Sequence, residues 1–184
     1  MTGMTYKWTI EHYHRAIAAG CFEDQGVELL KGEIIVMTPE RESHDYYNSE
    51  CADYLKDLLK NRAKIRDAKP ITLPNNSEAS PDIAVVKPLG KEYLKHHPYP
   101  DNIYWLIEFS KATLRKDLTE KKMIYAEAEI KEYWILDLNN NQLKIFKNLK
   151  QGNYTTELTL TEGNISLLAF LDQVIPVHKI ISIN

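Results

Sequence analysis

Apolar residues recur along this chain with two periods, and the switches between them mark its elements. Trp8, Ile10, Tyr13 and Ile17 stand among charges at roughly helical spacing over residues 8–19, and Gly20 supplies a C-terminal stop, which predicts a short opening helix. Val27–Leu30 and residues 33–37 are β-rich runs too short for helices. Joined by Lys31-Gly32, they predict a hairpin closed before Pro39. Tyr46, Tyr47, Cys51, Tyr54, Leu55, Leu58 and Leu59 then repeat at threes and fours through a polar background, the signature of an amphipathic helix over 42–60.

Beyond Pro74-Asn75-Asn76 the pattern changes to continuous apolar runs, Ile83-Ala84-Val85-Val86 and Tyr104-Trp105-Leu106-Ile107, which suit central strands covered on both faces. The connection between them carries Pro88, Gly90, Pro98 and Pro100 and reads as a surface loop with one helical turn. A helix over 114–128 follows. After it come a strand over 132–138, a turn at Asn139-Asn140-Asn141, and a strand over 142–146. Residues 154–160 and the run from Ile165 form a last hairpin-like region that ends in the apolar tail 174–183. This order of elements predicts an α/β fold with a mixed sheet. No repeat, low-complexity tract or flexible linker interrupts the 184 residues, so one domain over 1–184 is expected.

Charge and composition narrow the function classes. A net charge of -3, from 23 basic and 26 acidic residues, excludes a general polyanion-coating protein but leaves room for a local basic surface. Cys21 and Cys51 show no CxxC spacing and read as unrelated reduced thiols, and no apolar run approaches the ~18 residues needed to span a bilayer. A cytoplasmic protein without membrane association is expected. His12 and His14, and the adjacent His96 and His97, lack zinc-binding spacing and are expected to be solvated. No nucleophile elbow, P-loop or dinucleotide fingerprint is present.

Two acids stand out against the apolar runs. Asp82 follows Pro81 and opens one of them, and Glu108 interrupts the most apolar stretch of the chain. Each alone reads as the end of a strand. Together they border buried strands, where a carboxylate costs several kcal/mol unless it is paired or bound to a cation. Paired acids on adjacent strands also supply the oxygen ligands that a hard divalent cation needs. In the following helix Asp117, Lys121 and Tyr125 fall at i, i+4 and i+8, on one stripe about 40° apart per step. The stripe suits an ordinary exposed ion pair, or a lysine reaching the carboxylates to stabilise phosphoryl charge.

At these residues the chain resembles the large Uma family of proposed endonucleases, within the PD-(D/E)XK restriction-endonuclease-like superfamily. The likeness runs through Leu106-Ile107-Glu108-Phe109-Ser110-Lys111-Ala112-Thr113-Leu114, then Asp117, Lys121 and Tyr125, then Glu132-Tyr133-Trp134-Ile135-Leu136-Asp137. Upstream it includes Pro81-Asp82, the stretch Glu28-Leu29-Leu30-Lys31-Gly32-Glu33-Ile34-Ile35-Val36-Met37-Thr38-Pro39, and His44. The resemblance implies a restriction-endonuclease-like core, a mixed central sheet flanked by helices. To this core it adds an N-terminal helix and hairpin and a C-terminal β-hairpin region. It further implies Asp82 and Glu108 as ligands of Mg²⁺, with Mn²⁺ as a substitute, and Lys121 as the catalytic lysine. Glu28 is either a further acid of the site or a hairpin surface charge. Ser110, Asp117, Tyr125 and His44 are accessory candidates, although a histidine at a helix start also suits a cap.

One departure from the superfamily pattern is informative. A standard E-x-K would put lysine at position 110, where this chain has Ser110. Strand alternation turns Lys111 away from Glu108, and Lys122 lies about 100° around the helix from Lys121, so Lys121 is the favoured lysine. For substrate, alternating Lys60, Arg62, Lys64 and Arg66 would form one cationic face on a strand, suited to phosphates or to protecting an edge. Lys91, Lys95, His96 and His97, with Arg115 and Lys116, are expected to add positive charge near the site. The leading expectation is a Mg²⁺-dependent endonuclease acting on DNA as a homodimer, with the apolar tail as candidate interface. The rival is a nucleic-acid-binding or assembly module that keeps the fold without turnover.

Overall fold

The computed structural model describes residues 4–37 and 42–181. Thr38, Pro39 and the last residues of the apolar tail lie outside them. Helix α1 (Ile10–Ala18) begins where the Thr9 hydroxyl accepts the His12 amide at 3.2 Å, and its chain reverses at Gly20, whose φ of +74° suits a residue without Cβ. Strands β1 (Val27–Leu30) and β2 (Glu33–Val36) form the expected hairpin. Helix α2 (Glu42–Leu59) buries Cys51, Ala52, Leu55 and Leu59 along one side.

Three strands then follow: β3 (Lys64–Asp67), β4 (Ile71–Leu73) and β5 (Ser77–Ala79). The two three-residue strands are too short for periodicity to reveal, and the sequence reading has no strand at either place. They pair with the hairpin into a four-stranded antiparallel sheet of order β2-β1-β5-β4. Strands β6 (Ile83–Val86) and β7 (Ile103–Ser110) are the two apolar runs. The chain continues through α3 (Leu114–Lys116), a π-helical turn (Asp117–Lys121) and α4 (Lys122–Glu127). Then come β8 (Glu132–Asp137), β9 (Gln142–Lys150), β10 (Asn153–Leu160), β11 (Asn164–Ser166), β12 (Val174–Pro176) and α5 (His178–Ile181).

The central sheet has six strands in the order β10-β9-β8-β7-β6-β3, with β7 and β8 parallel and the other pairs antiparallel. The mixed α/β fold is therefore as expected. Alternation along β7 divides the core in two. Trp105, Ile107 and Phe109 face α2 and α5, while Leu106 faces α4 and the four-stranded sheet with Ile124, Tyr125, Leu30 and Ala79. Glu108 and Ser110, in phase with Leu106, are thereby turned toward α4.

Four expectations need correction. The hairpin partner of β10 is β9, and β11 pairs instead with β12. The described part of the apolar tail is mostly core rather than interface: Val174 is exposed, but Ile175, Val177 and Ile180 are completely buried against α2 and the sheet, because the sheet face there needs a cover. The four alternating cations do not form one face, since 60–62 is a 3-10 turn and only Lys64 and Arg66 alternate on a strand; Arg62 chelates Asp172 at 2.7 Å and Arg66 donates to the Pro70 carbonyl. What remains is a charged edge strand, β3. Finally, the loop bearing Lys91, Lys95, His96 and His97 leaves β6 at the end remote from Asp82 and re-enters β7 five residues before Glu108, about 16 Å along the strand. Of the cations expected at the site, this loop supplies none. Among the described residues no helix is long and apolar enough to cross a membrane.

Candidate active site

The site lies where β6 begins and β7 ends. Continuing the antiparallel register that pairs Ile83 with Ile107 sets Asp82 opposite Glu108. Asp82 precedes β6, and its carboxylate lies close enough to Glu108 to act on it electrostatically. The Phe109 amide donates to Asp82 Oδ2 at 2.6 Å, and His44 Nε2, from the first turn of α2, lies 3.0 Å from the same oxygen. His44 also packs edge-on against the Phe109 ring. Backbone and histidine together fix the aspartate while leaving Oδ1 without a hydrogen bond among the described residues.

Glu108 is 3% exposed and uses one oxygen twice: Lys121 Nζ and the Tyr125 hydroxyl both donate to Oε1, each at 2.8 Å. Burial raises its pKa to about 8. Lys121 offsets part of that rise, and the neighbouring Asp82 and Asp117 carboxylates add to it. Burial works against the Lys121 ammonium, yet Glu108, Glu28, Asp117 and Asp82 outweigh it and raise the lysine above its ordinary value. Tyr125 is likewise pushed well up, by burial first and by Glu108 next, so it stays a donor.

Glu28 enters from the other sheet. On β1, Val27 and Leu29 pack on α1, so Glu28 and Leu30 point oppositely, toward the central sheet. Lys116 Nζ donates to Glu28 Oε1 at 2.9 Å and the Ser80 amide to Oε2 at 3.3 Å; Lys121 Nζ lies 4.0 Å from Oε2. The reading of Glu28 as a hairpin surface charge is thus replaced by a buried position, 2% exposed. Ser110 donates to Asp117 Oδ2 at 2.7 Å, and the Tyr133 hydroxyl reaches the Asp117 carbonyl. The eight residues singled out from sequence, Asp82, Glu108, Lys121, Glu28, Ser110, Asp117, Tyr125 and His44, therefore fall in neighbouring hydrogen-bonded groups: Asp82 with His44, Glu108 with Lys121 and Tyr125, Ser110 with Asp117, and Glu28 4.0 Å from Lys121.

The competing lysines do not join them. Lys111 is exposed, and Lys122 pairs with Glu157 and lies 4.2 Å from the centre of the Phe146 ring. Sequence reasoning missed the pairing of Lys116 with Glu28 and the role of the Phe109 and Ser80 amides. It also left His14 as merely solvated, whereas His14 Nε2 lies 2.8 Å from the buried Glu78, which Thr72 also contacts. Backbone amides carry no sequence signal, and the signal for Lys116 is hidden by the π turn. A regular α-helix separates residues five apart by about 140°. A π turn closes i to i+5 and brings Lys116 and Lys121 back to one face, and such turns recur at functional sites.

A divalent cation is the group this chemistry suggests. Among the described residues, no three His, Cys, Asp or Glu side chains are grouped to hold one. Two carboxylates are available, each with an oxygen outside the hydrogen-bond network, Asp82 Oδ1 and Glu108 Oε2. Hard and few, and both anionic once Glu108 gives up its proton, they fit Mg²⁺ or Mn²⁺ with positions left for water and phosphate. A cavity of about 760 Å³ lies elsewhere, bounded by Ile103, Tyr104, Glu129 and Lys131, and none of the eight residues lines it. Chemistry rather than concavity locates the candidate.

Comparisons with known proteins bear on the fold and the family. The solved structure of a putative nuclease belonging to DUF820, from Anabaena variabilis ATCC 29413, superposes with a TM-score of 0.68 at 13% identity. The match covers 86% of this chain and 91% of that one, and it shows a shared fold. No curated protein matches the sequence. The model of the Uma2 family, described as a putative restriction endonuclease, matches residues 10–178, and the chain belongs to that family.

Proposed function

We propose that this chain is an endonuclease, acting as one domain, that hydrolyses phosphodiester bonds with a divalent cation and takes DNA as its substrate. The observation that carries this reading is the convergence of Asp82, Glu108 and Lys121 at one strand end, with one oxygen of each acid outside the hydrogen-bond network. Asp82 and Glu108 would hold Mg²⁺, which when bound supplies Lewis-acid polarisation of phosphate and a more acidic water.

The protein groups do the rest. The Phe109 amide and His44 keep Asp82 in place, and Tyr125 orients Glu108. Lys121, charged because four carboxylates surround it, offsets the negative charge that develops on the phosphoryl oxygens and orients the attacking water. Ser110 occupies the strand position where a lysine would otherwise stand. By binding Asp117 it anchors the helix that delivers Lys121 instead. Arg115 and Lys111, exposed beside the strand end, are the cations placed to meet phosphates flanking the scissile bond.

Cleavage of supercoiled plasmid, single-stranded DNA and RNA in low salt with Mg²⁺ or Mn²⁺ tests the proposal. Wild type should cut DNA, the activity should fall as salt rises, and Asp82→Ala and Lys121→Ala should lose it while melting cooperatively. Equal cleavage by wild type and Asp82→Ala overturns the site assignment. A wild-type protein that cuts nothing and binds no Mn²⁺ is the non-catalytic module instead.

A further inference from the structure

The catalytic lysine sits on the oxygen of a proposed ligand. Lys121 Nζ bonds Glu108 Oε1 at 2.8 Å, so a divalent cation on the free Oε2 would stand across one carboxylate from this ammonium and repel it. Lys121 is 7% exposed and cannot retreat into water without uncovering the site. It needs a second anionic seat within the protein.

Glu28 Oε2 stands 4.0 Å from Lys121 Nζ, and closing that gap to hydrogen-bond length takes about 1 Å of movement. The seat is already built. Glu28 is 2% exposed, and the Ser80 amide and Lys116 each hold one of its two oxygens. The π turn makes this possible by setting Lys116 and Lys121, five residues apart, on the same face. Glu28 also stands outside any three-acid group with Asp82 and Glu108 among the described residues.

Resting on the nuclease reading above, we infer that Glu28 is a positioning residue rather than a metal ligand. It receives the Lys121 ammonium when a divalent cation takes Glu108, so that the cation and the lysine occupy the site together.

A double-mutant cycle on Mn²⁺ affinity, read by calorimetry without substrate, tests this. In the wild-type background Glu28→Gln should weaken Mn²⁺ binding at least tenfold, because Lys121 then has no seat except Glu108. In a Lys121→Met background the same substitution should cost less than threefold. Equal losses in the two backgrounds would show that Glu28 meets the ion directly and would overturn the inference, as would a Glu28→Gln protein that binds like wild type. Thermal melts report folding of each variant. If Glu28→Gln does not fold, Glu28→Asp keeps the charge and withdraws it by one methylene; its loss should also vanish with Lys121→Met. Failure of wild type to bind Mn²⁺ is a separate result, which overturns the nuclease reading itself.

Discussion

Two glutamate–lysine pairs are buried on opposite faces of the same sheet, and their surroundings set them apart. Glu132 and Lys147 are cross-strand partners on β8 and β9, 2.9 Å apart. Every oxygen of Glu132 is used: Trp134 Nε1 and Lys147 bind Oε1, and the Leu168 amide binds Oε2 at 3.1 Å. Lys147 also donates to the Ser166 carbonyl. This pair staples the segment after β11 onto the sheet. Glu108 and Lys121 make an equally short contact, but one Glu108 oxygen is left over, and Asp82, Asp117 and Glu28 crowd the pair with further negative charge. A saturated pair is structural, whereas an unsaturated one among like charges is held at a cost that binding a cation would relieve.

Breaking each pair from the lysine side sharpens the contrast most. Lys121→Met should lower the rate of DNA cleavage by about 10²- to 10⁴-fold, measured as single-turnover kinetics, while the protein remains folded. Lys147→Met leaves Glu132 as an uncompensated buried charge and should cost about 3–5 kcal/mol in denaturant unfolding. Any activity it loses should follow the fraction unfolded. If Lys147→Met cuts slowly while fully folded, the distinction between staple and site fails.

A smaller effect is expected from pH. The folded-state pKa of Glu108, near 8 against an ordinary 4.5, means that the native protein keeps a proton there which the unfolded chain has released. Stability from the neutral carboxyl is therefore present below about pH 4.5 and is lost as pH rises toward about 8. Mn²⁺ must displace that proton, so its affinity should climb over the same interval in calorimetry. Glu108→Gln should flatten the Glu108 part of the stability profile, and an unchanged profile would argue that Glu108 is ionised throughout. The smallest change is Tyr125→Phe, which removes one of two hydrogen bonds to Glu108 Oε1. It should slow cleavage by up to about tenfold, in line with roughly 0.5–1.5 kcal/mol for such a bond.

Legibility from sequence followed element length and locality. The long apolar runs, the amphipathic helix over 42–60 and the Asn-rich turn before β9 appear where the pattern puts them, because burial on one or two faces leaves a periodic trace. Strands β4 and β5, three residues each, leave none, and with them the four-stranded sheet that carries Glu28 was out of reach. Asp82 and Glu108 were visible as charges that break apolar stretches. Lys116 was visible only as a positive charge, since its meeting with Glu28 depends on strands far away in the chain and on a π turn that no composition announces. The apolar tail was legible as apolar and misplaced as surface, because hydrophobicity says that a segment is covered but not by what.

By itself, then, the sequence determined the α/β class, the central apolar strands, and the acids and lysine worth watching, since each follows from the local cost of exposing or burying a side chain. Tertiary structure decided which partners these groups meet. Register set Asp82 opposite Glu108, the π turn set two lysines on one side, and packing of the second sheet brought Glu28 to them. Those contacts join residues 28, 82, 108 and 121, and an ionisable group's state depends on what lies within a few ångströms in space, which chain order does not specify.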